Sequence, residues 1–184
     1  MANALIVLAE GFEDIEAVSV IDILRRGGVT VVTAALGGDL AVKSAHGIEM
    51  KADALFAEAA VADYDALVLP GGGRGTENLM ASPALHERLF RQKAEGRLIC
   101  AICAAPTVLA AFGLLDPGQH VTCYPTCEPA LDRPSAGVPV VRDGLVITGQ
   151  APGASTLFGL VILQALRGDV VAQKVAGGMV TDVL

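Results

Sequence analysis

The chain alternates between short continuous apolar runs and longer segments in which apolar residues return at helical spacing. Residues 3–9 form the first run, whose length and apolar character favour a parallel strand covered on both faces. Glu13 and Asp14 follow, and acids suit the positive end of a helix dipole. The apolar residues of this predicted helix are Ile15, Val18, Ile21 and Leu24. A second run at residues 29–36 completes a strand–helix–strand unit, whose crossover we expect to be right-handed.

The same alternation continues to the end of the chain. Strands are predicted at residues 66–69 and 98–102 and from Val121 onward. Hairpins are predicted at residues 40–53, around His46 and Gly47, and at residues 138–148. Helices are predicted at residues 83–95, 106–115, 154–166 and 170–175. Neither a linker nor a repeat divides the chain, which predicts a single α/β domain over residues 1–184.

The composition supports a packed α/β domain. Hydrophobic residues make up 53% of the chain, which excludes a disordered protein, yet aromatic residues make up only 4% and tryptophan is absent. Small aliphatic side chains must therefore fill the interior. Together with 21 glycines, they favour close packing of helices on a sheet.

The charge pattern narrows the possible partners. The formal net charge is −7 and no run of Lys or Arg occurs, so we expect no charge-driven binding of nucleic acid or of an anionic membrane. The longest apolar helix candidate, residues 154–166, is interrupted by Gln164 and is shorter than the roughly 20 residues that a membrane span needs. The first residues lack a basic leader, so we expect a cytoplasmic protein.

Four cysteines raise the question of a metal site: Cys100, Cys103, Cys123 and Cys127. Two closely spaced pairs could supply four thiolates to zinc. However, Cys100 lies inside a predicted strand, where residues three apart point to opposite faces. We therefore expect no metal.

Cys103 stands at the junction between the predicted strand 98–102 and the following helix. With no spacer between them, the residue lies on a sharp turn with a helix N-terminus beneath its side chain, as in the nucleophile elbow of hydrolases. A helix N-terminus lowers the pKa of a thiol, and small neighbours leave the sulfur room to react. The alternative is a buried structural cysteine. We predict a reactive thiol.

Two other segments follow buried strands and should lie at the same edge of the sheet. The glycine-rich residues 70–75 lack the Lys-Ser/Thr ending of a phosphate-binding loop. A glycine amide there and the amide of Ala104 would make an oxyanion-binding pair beside the thiol. Glu16 lies among apolar neighbours, and an inward-facing acid would have a raised pKa and could share a proton with Cys103. The alternative for Glu16 is a solvated helix face.

Three motifs in order carry a resemblance to a known family: GFEDIEAV, VLPGGG and AICAAPTVLA. With the segments LRRGGVTVV and QAPGASTLFGLVILQAL, they resemble the ThiJ/PfpI superfamily, in the branch of the parkinsonism-associated protein deglycase and its bacterial relatives. The resemblance covers nearly the whole chain. It implies the class I glutamine amidotransferase-like fold, a flavodoxin-like three-layer sandwich with a mostly parallel central sheet and a small β-hairpin, assembled as a homodimer.

The resemblance also implies a chemistry without a cofactor. Cys103 would be an oxidation-prone nucleophile, Glu16 its protonated hydrogen-bond partner, and the amides of Gly72 and Ala104 the binding site for an oxyanion or a cysteine sulfinate. In members with glyoxalase or deglycase activity, the thiolate attacks a small carbonyl substrate such as methylglyoxal, or an early glycation adduct. The Glu then shuttles the proton, and glutathione is not needed.

One position departs from the family pattern. Members commonly carry a His beside the nucleophile, where this chain has Tyr124, which can donate a hydrogen bond to a ligand but is a poor base at neutral pH. The departure puts a Cys–His dyad in doubt. His46 corresponds to a basic residue near the dimer interface of relatives and could reach the partner's site, or be a solvated turn residue. Cys123 or Cys127 could form a disulfide with an oxidised Cys103.

Two functions remain open. The first is a glutathione-independent glyoxalase or deglycase that uses Cys103 and Glu16. The second is a redox-responsive stress protein, a sensor or chaperone-like factor, whose Cys103 becomes a sulfinate without rapid turnover. Tyr124 favours the second, and the glycine-lined site favours the first, which we prefer.

Overall fold

The computed structural model describes residues 1–182. Nine strands are found there: β1 (Asn3–Leu8), β2 (Thr30–Ala35), β3 (Ala41–Lys43), β4 (Glu49–Lys51), β5 (Ala54–Leu55), β6 (Ala66–Leu69), β7 (Leu98–Ile102), β8 (Val140–Asp143) and β9 (Val146–Gly149). Seven α-helices accompany them: α1 (Asp14–Arg26), α2 (Phe56–Ala59), α3 (Gly73–Met80), α4 (Pro83–Ala94), α5 (Pro106–Ala111), α6 (Ser155–Arg167) and α7 (Asp169–Gly178).

Seven strands form one central sheet in the order β5-β2-β1-β6-β7-β9-β8. All neighbours are parallel except β8, which pairs antiparallel with β9 at one edge. The strands β3 and β4 form a separate antiparallel hairpin. This is the predicted mostly parallel α/β fold with a small hairpin. Within residues 1–182, no helix combines the length and the apolar character needed to cross a membrane.

Side chains alternate between the two faces of the sheet and so build two cores. From β1, Ile6 and Leu8 join a core with α1, α6 and α7, whereas Leu5 and Val7 join a core on the opposite face. The central strands β1, β6 and β7 are almost wholly buried, as their continuous apolar runs predict. Cys103 belongs to the first core.

Glycine allows α1 and α6 to pack closely. A Cβ atom on Gly159 of α6 would lie 2.8 Å from Cδ1 of Ile23 in α1, and one on Gly27 would lie 2.1 Å from Cδ1 of Leu163. These approaches explain how a chain poor in aromatic residues fills its interior, since the helices come close enough for small side chains to meet.

The apolar face predicted for α1 is wrong at two positions. Ile15 and Val18 are 55% and 53% exposed, while Glu16 and Val20 are buried. Helical spacing identifies apolar residues on the helix but does not say which of them face the sheet. Ile15 and Val18 therefore form an apolar surface on the outside of α1.

Two further predictions about elements were incorrect, and one helix was not predicted. No strand begins at Val121 in the described part of the chain: Thr122 instead donates its N–H to Oγ1 of Thr148 at 2.9 Å, a bond to a side chain rather than a strand ladder. The helix predicted at residues 106–115 ends at Ala111, and Gly113 follows with φ of +66°. The helix α3 was not predicted, because its sequence begins with glycines, which are unfavourable inside helices.

Candidate active site

The carboxyl ends of β1, β6 and β7 lie side by side, so the segments that follow them meet. The segment after β1 leads into α1, and its Glu13 N–H donates to the carbonyl of Gly71 after β6 at 3.0 Å. Gly71 in turn packs against Cys103 after β7. The three segments therefore lie together at one edge of the sheet, as the sequence predicts.

Cys103 occupies a strained position at the end of β7. Its φ is +64°, in the left-handed region that residues with a Cβ rarely adopt, and its N–H donates to the carbonyl of Gly149 at 2.9 Å. Such a conformation costs about 1–3 kcal/mol and persists only where the surroundings enforce it. The chain then turns directly into α5, so the predicted elbow is present, with the thiol 8% exposed.

Glu16 lies fully buried on the first turn of α1. Its own N–H donates to Oε2 of Glu13 at 2.8 Å, which caps the helix and fixes its first turn. Oε2 of Glu16 accepts a hydrogen bond from the N–H of Gly71 at 2.7 Å. Its other oxygen, Oε1, is buried and accepts no hydrogen bond within residues 1–182. The inward orientation predicted for Glu16 is therefore confirmed.

Burial raises the pKa of the Glu16 carboxyl to about 7, although the Gly71 amide and the Cys103 thiol favour its charged form. The Glu13 carboxylate adds to the rise. Since Oε2 is held by an N–H donor, the proton of the neutral acid belongs on Oε1, the oxygen without a donor. A carboxyl that is half protonated near neutral pH can give and take a proton.

The pKa of Cys103 departs from the sequence prediction. Burial, and after it the charge and the proximity of the Glu16 carboxyl, raise this pKa to about 12. The amides of Gly72 and Ala104 act in the opposite direction, as the helix N-terminus was predicted to do, but they do not outweigh burial and the neighbouring carboxylate. Of the three effects that raise the pKa of Cys103, two come from the Glu16 carboxyl.

The glycines after β6 allow the backbone to reach both functional groups. A Cβ on Gly71 would lie 2.8 Å from the Cβ of Cys103 and 2.9 Å from Oε2 of Glu16. Gly72 has φ of +90°, and its Cβ would lie 2.3 Å from the carbonyl oxygen of Gly11. The role of Gly71 as donor to Glu16 was not predicted, although it belongs to the glycine cluster that we singled out.

Tyr124 reaches the site through its backbone. Its N–H donates to the carbonyl of Cys103 at 2.8 Å, which holds the segment after residue 121 against the elbow. The side chain is 40% exposed. Tyr124 therefore lies beside Cys103, as the sequence motif predicts, with its side chain partly exposed.

His46 lies on the exposed hairpin, apart from the thiol. Its side chain is 70% exposed, and Nδ1 lies 2.7 Å from Oδ2 of Asp14 and 3.9 Å from Oε1 of Glu13. The hydrogen bond with Asp14 raises the pKa of His46. These three residues are the group of potential metal ligands that the described chain brings together, and ion pairing and helix capping account for their arrangement.

The four cysteines are all free thiols. Within residues 1–182, they do not converge on a common tetrahedral site. Cys103 is the one that stands beside an acid and two backbone amides, and these are the partners that a nucleophile requires.

The chain matches the sequence model of the DJ-1/PfpI family over residues 2–165. It belongs to the DJ-1/PfpI family. This confirms the resemblance drawn from the sequence motifs, and it agrees with the strand–elbow–helix geometry at Cys103. The glycine cluster and the buried acid are thus part of a DJ-1/PfpI domain.

Curated relatives cover nearly the full length. The chain is 39% identical to Protein dj-1beta of Drosophila melanogaster over 180 residues, with 96% of each chain covered. It is 34% identical to the glutathione-independent glyoxalase DJR-1.2 of Caenorhabditis elegans, with 90% of this chain and 89% of the relative covered. Among solved structures, oxidized DJ-1 of Toxoplasma gondii superposes with a TM-score of 0.95 at 33% identity, covering 99% of this chain and all of the other.

Proposed function

We propose that this DJ-1/PfpI protein is a cysteine-dependent, glutathione-independent glyoxalase or deglycase. Its substrates would be methylglyoxal-type carbonyl compounds or early glycation adducts. The observation that carries the proposal is the buried Glu16 carboxyl, with a pKa of about 7, set against the Cys103 thiol at a strained elbow. The C. elegans relative named as a glutathione-independent glyoxalase supports the same chemistry.

The first requirement is a thiolate at neutral pH. When Glu16 holds the proton, its negative charge no longer opposes ionisation of Cys103, and its O–H can donate to the sulfur. The amides of Gly72 and Ala104 then stabilise the thiolate. The reactive state is therefore a neutral Glu16 beside an ionised Cys103.

Attack on the aldehyde uses the same groups. The Cys103 sulfur forms a bond to the aldehyde carbon, and the carbonyl electron pair moves to oxygen, where the two amides hold the developing charge. Glu16 gives its proton to that oxygen and becomes a carboxylate, which makes a hemithioacetal. The half-exposed Tyr124 phenol would donate a hydrogen bond to a substrate oxygen in place of the family's His.

The remaining steps return the enzyme to its starting state. The Glu16 carboxylate removes the hydrogen on the former aldehyde carbon, and the resulting enediol takes a proton at the neighbouring carbon to give a thioester. Water then attacks the thioester, so lactate leaves and Cys103 is released. Methylglyoxal and one water account for every atom of lactate, and no cofactor takes part.

The test is lactate formation from methylglyoxal without glutathione. We expect Cys103→Ser to abolish activity, because serine is a far weaker nucleophile at neutral pH. Glu16→Gln should keep the hydrogen bond from Gly71 but lose proton transfer, lowering kcat by about 10²–10⁴-fold. Cys127→Ser in reducing buffer is the matched control and should retain activity. Equal lactate yields from wild type and Cys103→Ser would contradict the proposal.

A second proposed function is that of a redox-responsive stress protein, and one observation favours it. A carboxylic acid beside a thiol can donate a hydrogen bond to a sulfinate, and a structurally similar relative was solved as oxidized DJ-1. In this case, mild peroxide should add two oxygens to Cys103 while the buried Cys100 stays unmodified, and Glu16→Asp should change the product. Oxidation spread evenly over the cysteines would contradict it.

The same proposal includes a homodimer. Ile15 and Val18 on α1 form an exposed apolar surface, and Ile48 on the neighbouring hairpin loop is 59% exposed. Exposed apolar surfaces of this kind mark interfaces. A second copy of the chain packed there would cover these side chains and bring the partner's hairpin, with His46, close to the site.

A further inference from the structure

Cys123 and Cys127 lie on the segment that packs against the elbow, but on the other face of the sheet from Cys103. Cys123 is fully buried in the second core, and Cys127 packs against that same core while remaining partly exposed. Cys100 and Cys103 belong to the first core. The side chains of the two downstream cysteines therefore pack in a different core from the Cys103 side chain.

A tight turn brings these two cysteines together. The carbonyl oxygen of Tyr124 accepts the S–H of Cys123 at 3.3 Å and the N–H of Cys127 at 2.8 Å. Cys127 lies in a 3-10 helix over Pro125–Ala130, which begins directly after Tyr124. Both residues are thus held around a single oxygen atom.

The electrostatics agree with this proximity. Burial raises the pKa of Cys123 to about 11, and the charge of Cys127 is the next largest cause of the rise, ahead of the contact with Ser135. This influence agrees with the placement of both residues around the Tyr124 carbonyl oxygen. The more exposed Cys127 is the one that a dissolved oxidant meets first.

We propose that Cys123 and Cys127 form a dithiol site that peroxide converts to an intramolecular disulfide, separately from Cys103. The Cys127 sulfur attacks one oxygen of hydrogen peroxide, which gives a sulfenic acid and one water. The Cys123 sulfur attacks that sulfenic sulfur, forming the S–S bond and releasing a second water. Two thiols lose two electrons and two protons, and one peroxide becomes two waters.

The disulfide would constrain the segment that carries Tyr124. Because the Tyr124 N–H donates to the Cys103 carbonyl, any change in the turn is transmitted to the elbow by one hydrogen bond. Oxidation of Cys123 and Cys127 would therefore be coupled to the backbone of Cys103. This inference does not require the proposed glyoxalase activity, since the disulfide is measured directly.

The test is thiol mapping after mild peroxide treatment. Free thiols are alkylated, and cleavage after Phe112 then separates the peptide with Cys100 and Cys103 from the peptide with Cys123 and Cys127. We expect the second peptide to escape alkylation, to be lighter by two hydrogen atoms, and to regain both alkyl groups after dithiothreitol. Cys103→Ser should form the same disulfide.

Two variants keep the test independent of folding defects. Cys123→Ser replaces a buried thiol, whereas Cys127→Ser changes a partly exposed one, and both should abolish the disulfide while the circular dichroism spectrum stays unchanged. Alkylation of Cys123 and Cys127 in peroxide-treated wild type would overturn the proposal. So would a disulfide that links the two peptides, because it would make Cys103 the partner.

Discussion

At the scale of single residues, Glu16 illustrates how burial changes chemistry. A glutamate on a helix surface is ionised at neutral pH, whereas this one is fully buried with one amide donor, and its pKa rises to about 7. Glu16 therefore carries a transferable proton near neutral pH. The cost is a lower free energy of unfolding than the protein would have with a solvated carboxylate at this position. Function and stability oppose each other at this position.

This opposition predicts a pH dependence of stability. Glu16 ionises in the unfolded chain near 4.5 but in the native protein only near 7, so the unfolded state gains stability as pH rises between these values. Wild type should lose on the order of 3 kcal/mol over that window relative to Glu16→Gln, which cannot ionise. Above pH 7 the difference stays constant.

Urea denaturation of both proteins from pH 4 to 8 measures this difference. The Glu16→Gln curve should lie above the wild-type curve at neutral pH and meet it near pH 4, where both side chains are neutral. Parallel curves over the whole range would show that Glu16 ionises normally.

At the scale of elements, the site depends on a junction where two turns cross. The segment from β6 to α3 passes over the segment from β1 to α1, and Gly72 lies at the crossing with φ of +90°. A side chain there would meet the backbone of Gly11 and Glu13. The backbone cannot move away without displacing Glu16 and Cys103.

Gly72→Ala should therefore lower the free energy of unfolding by about 3 kcal/mol, through strain at positive φ and the backbone clash. Gly73→Ala is the matched control, since its Cβ would meet no atom within 4 Å, and it should change stability by less than about 0.5 kcal/mol. Thermal unfolding of wild type and the two variants measures these changes in the free energy of unfolding. Equal losses would show that the crossing is not tightly packed.

At the scale of the whole molecule, the outer face of α1 is the surface on which we propose that a second copy of the chain packs. Ile15 and Val18 are exposed on α1, whose opposite face packs on the sheet and on α6. Because Glu16 lies between these two residues on the same helix, a dimer formed there would lie close to the proposed site.

Sedimentation velocity at micromolar concentration should find wild type as a dimer and Ile15→Lys as a folded monomer, because a charge at the centre of the interface is costly to bury. Val170→Lys is the matched control, since Val170 is 80% exposed on α7, away from this surface, and the variant should stay dimeric. A monomeric wild type, or a dimeric Ile15→Lys, would contradict the proposed interface.

Much of the fold follows from local pattern. The apolar runs of β1, β6 and β7 are buried on both faces, and only parallel strands inside a sheet are buried in that way. The elbow at Cys103 follows from a strand that continues into a helix without a spacer. Alternation alone misassigned Val121 and the outer face of α1, because pairing partners and helix orientation depend on distant segments.

By itself, the sequence determined the alternation of the main strands and helices and the candidates Glu16 and Cys103, since each depends on neighbours along the chain. Only the tertiary structure decided the donor from Gly71 to Glu16 and the direction of the Cys103 pKa. Those properties arise from burial and from charges on separate segments, which local sequence does not encode. The same packing separated Cys103 from Cys123 and Cys127 by placing them on opposite faces of one sheet.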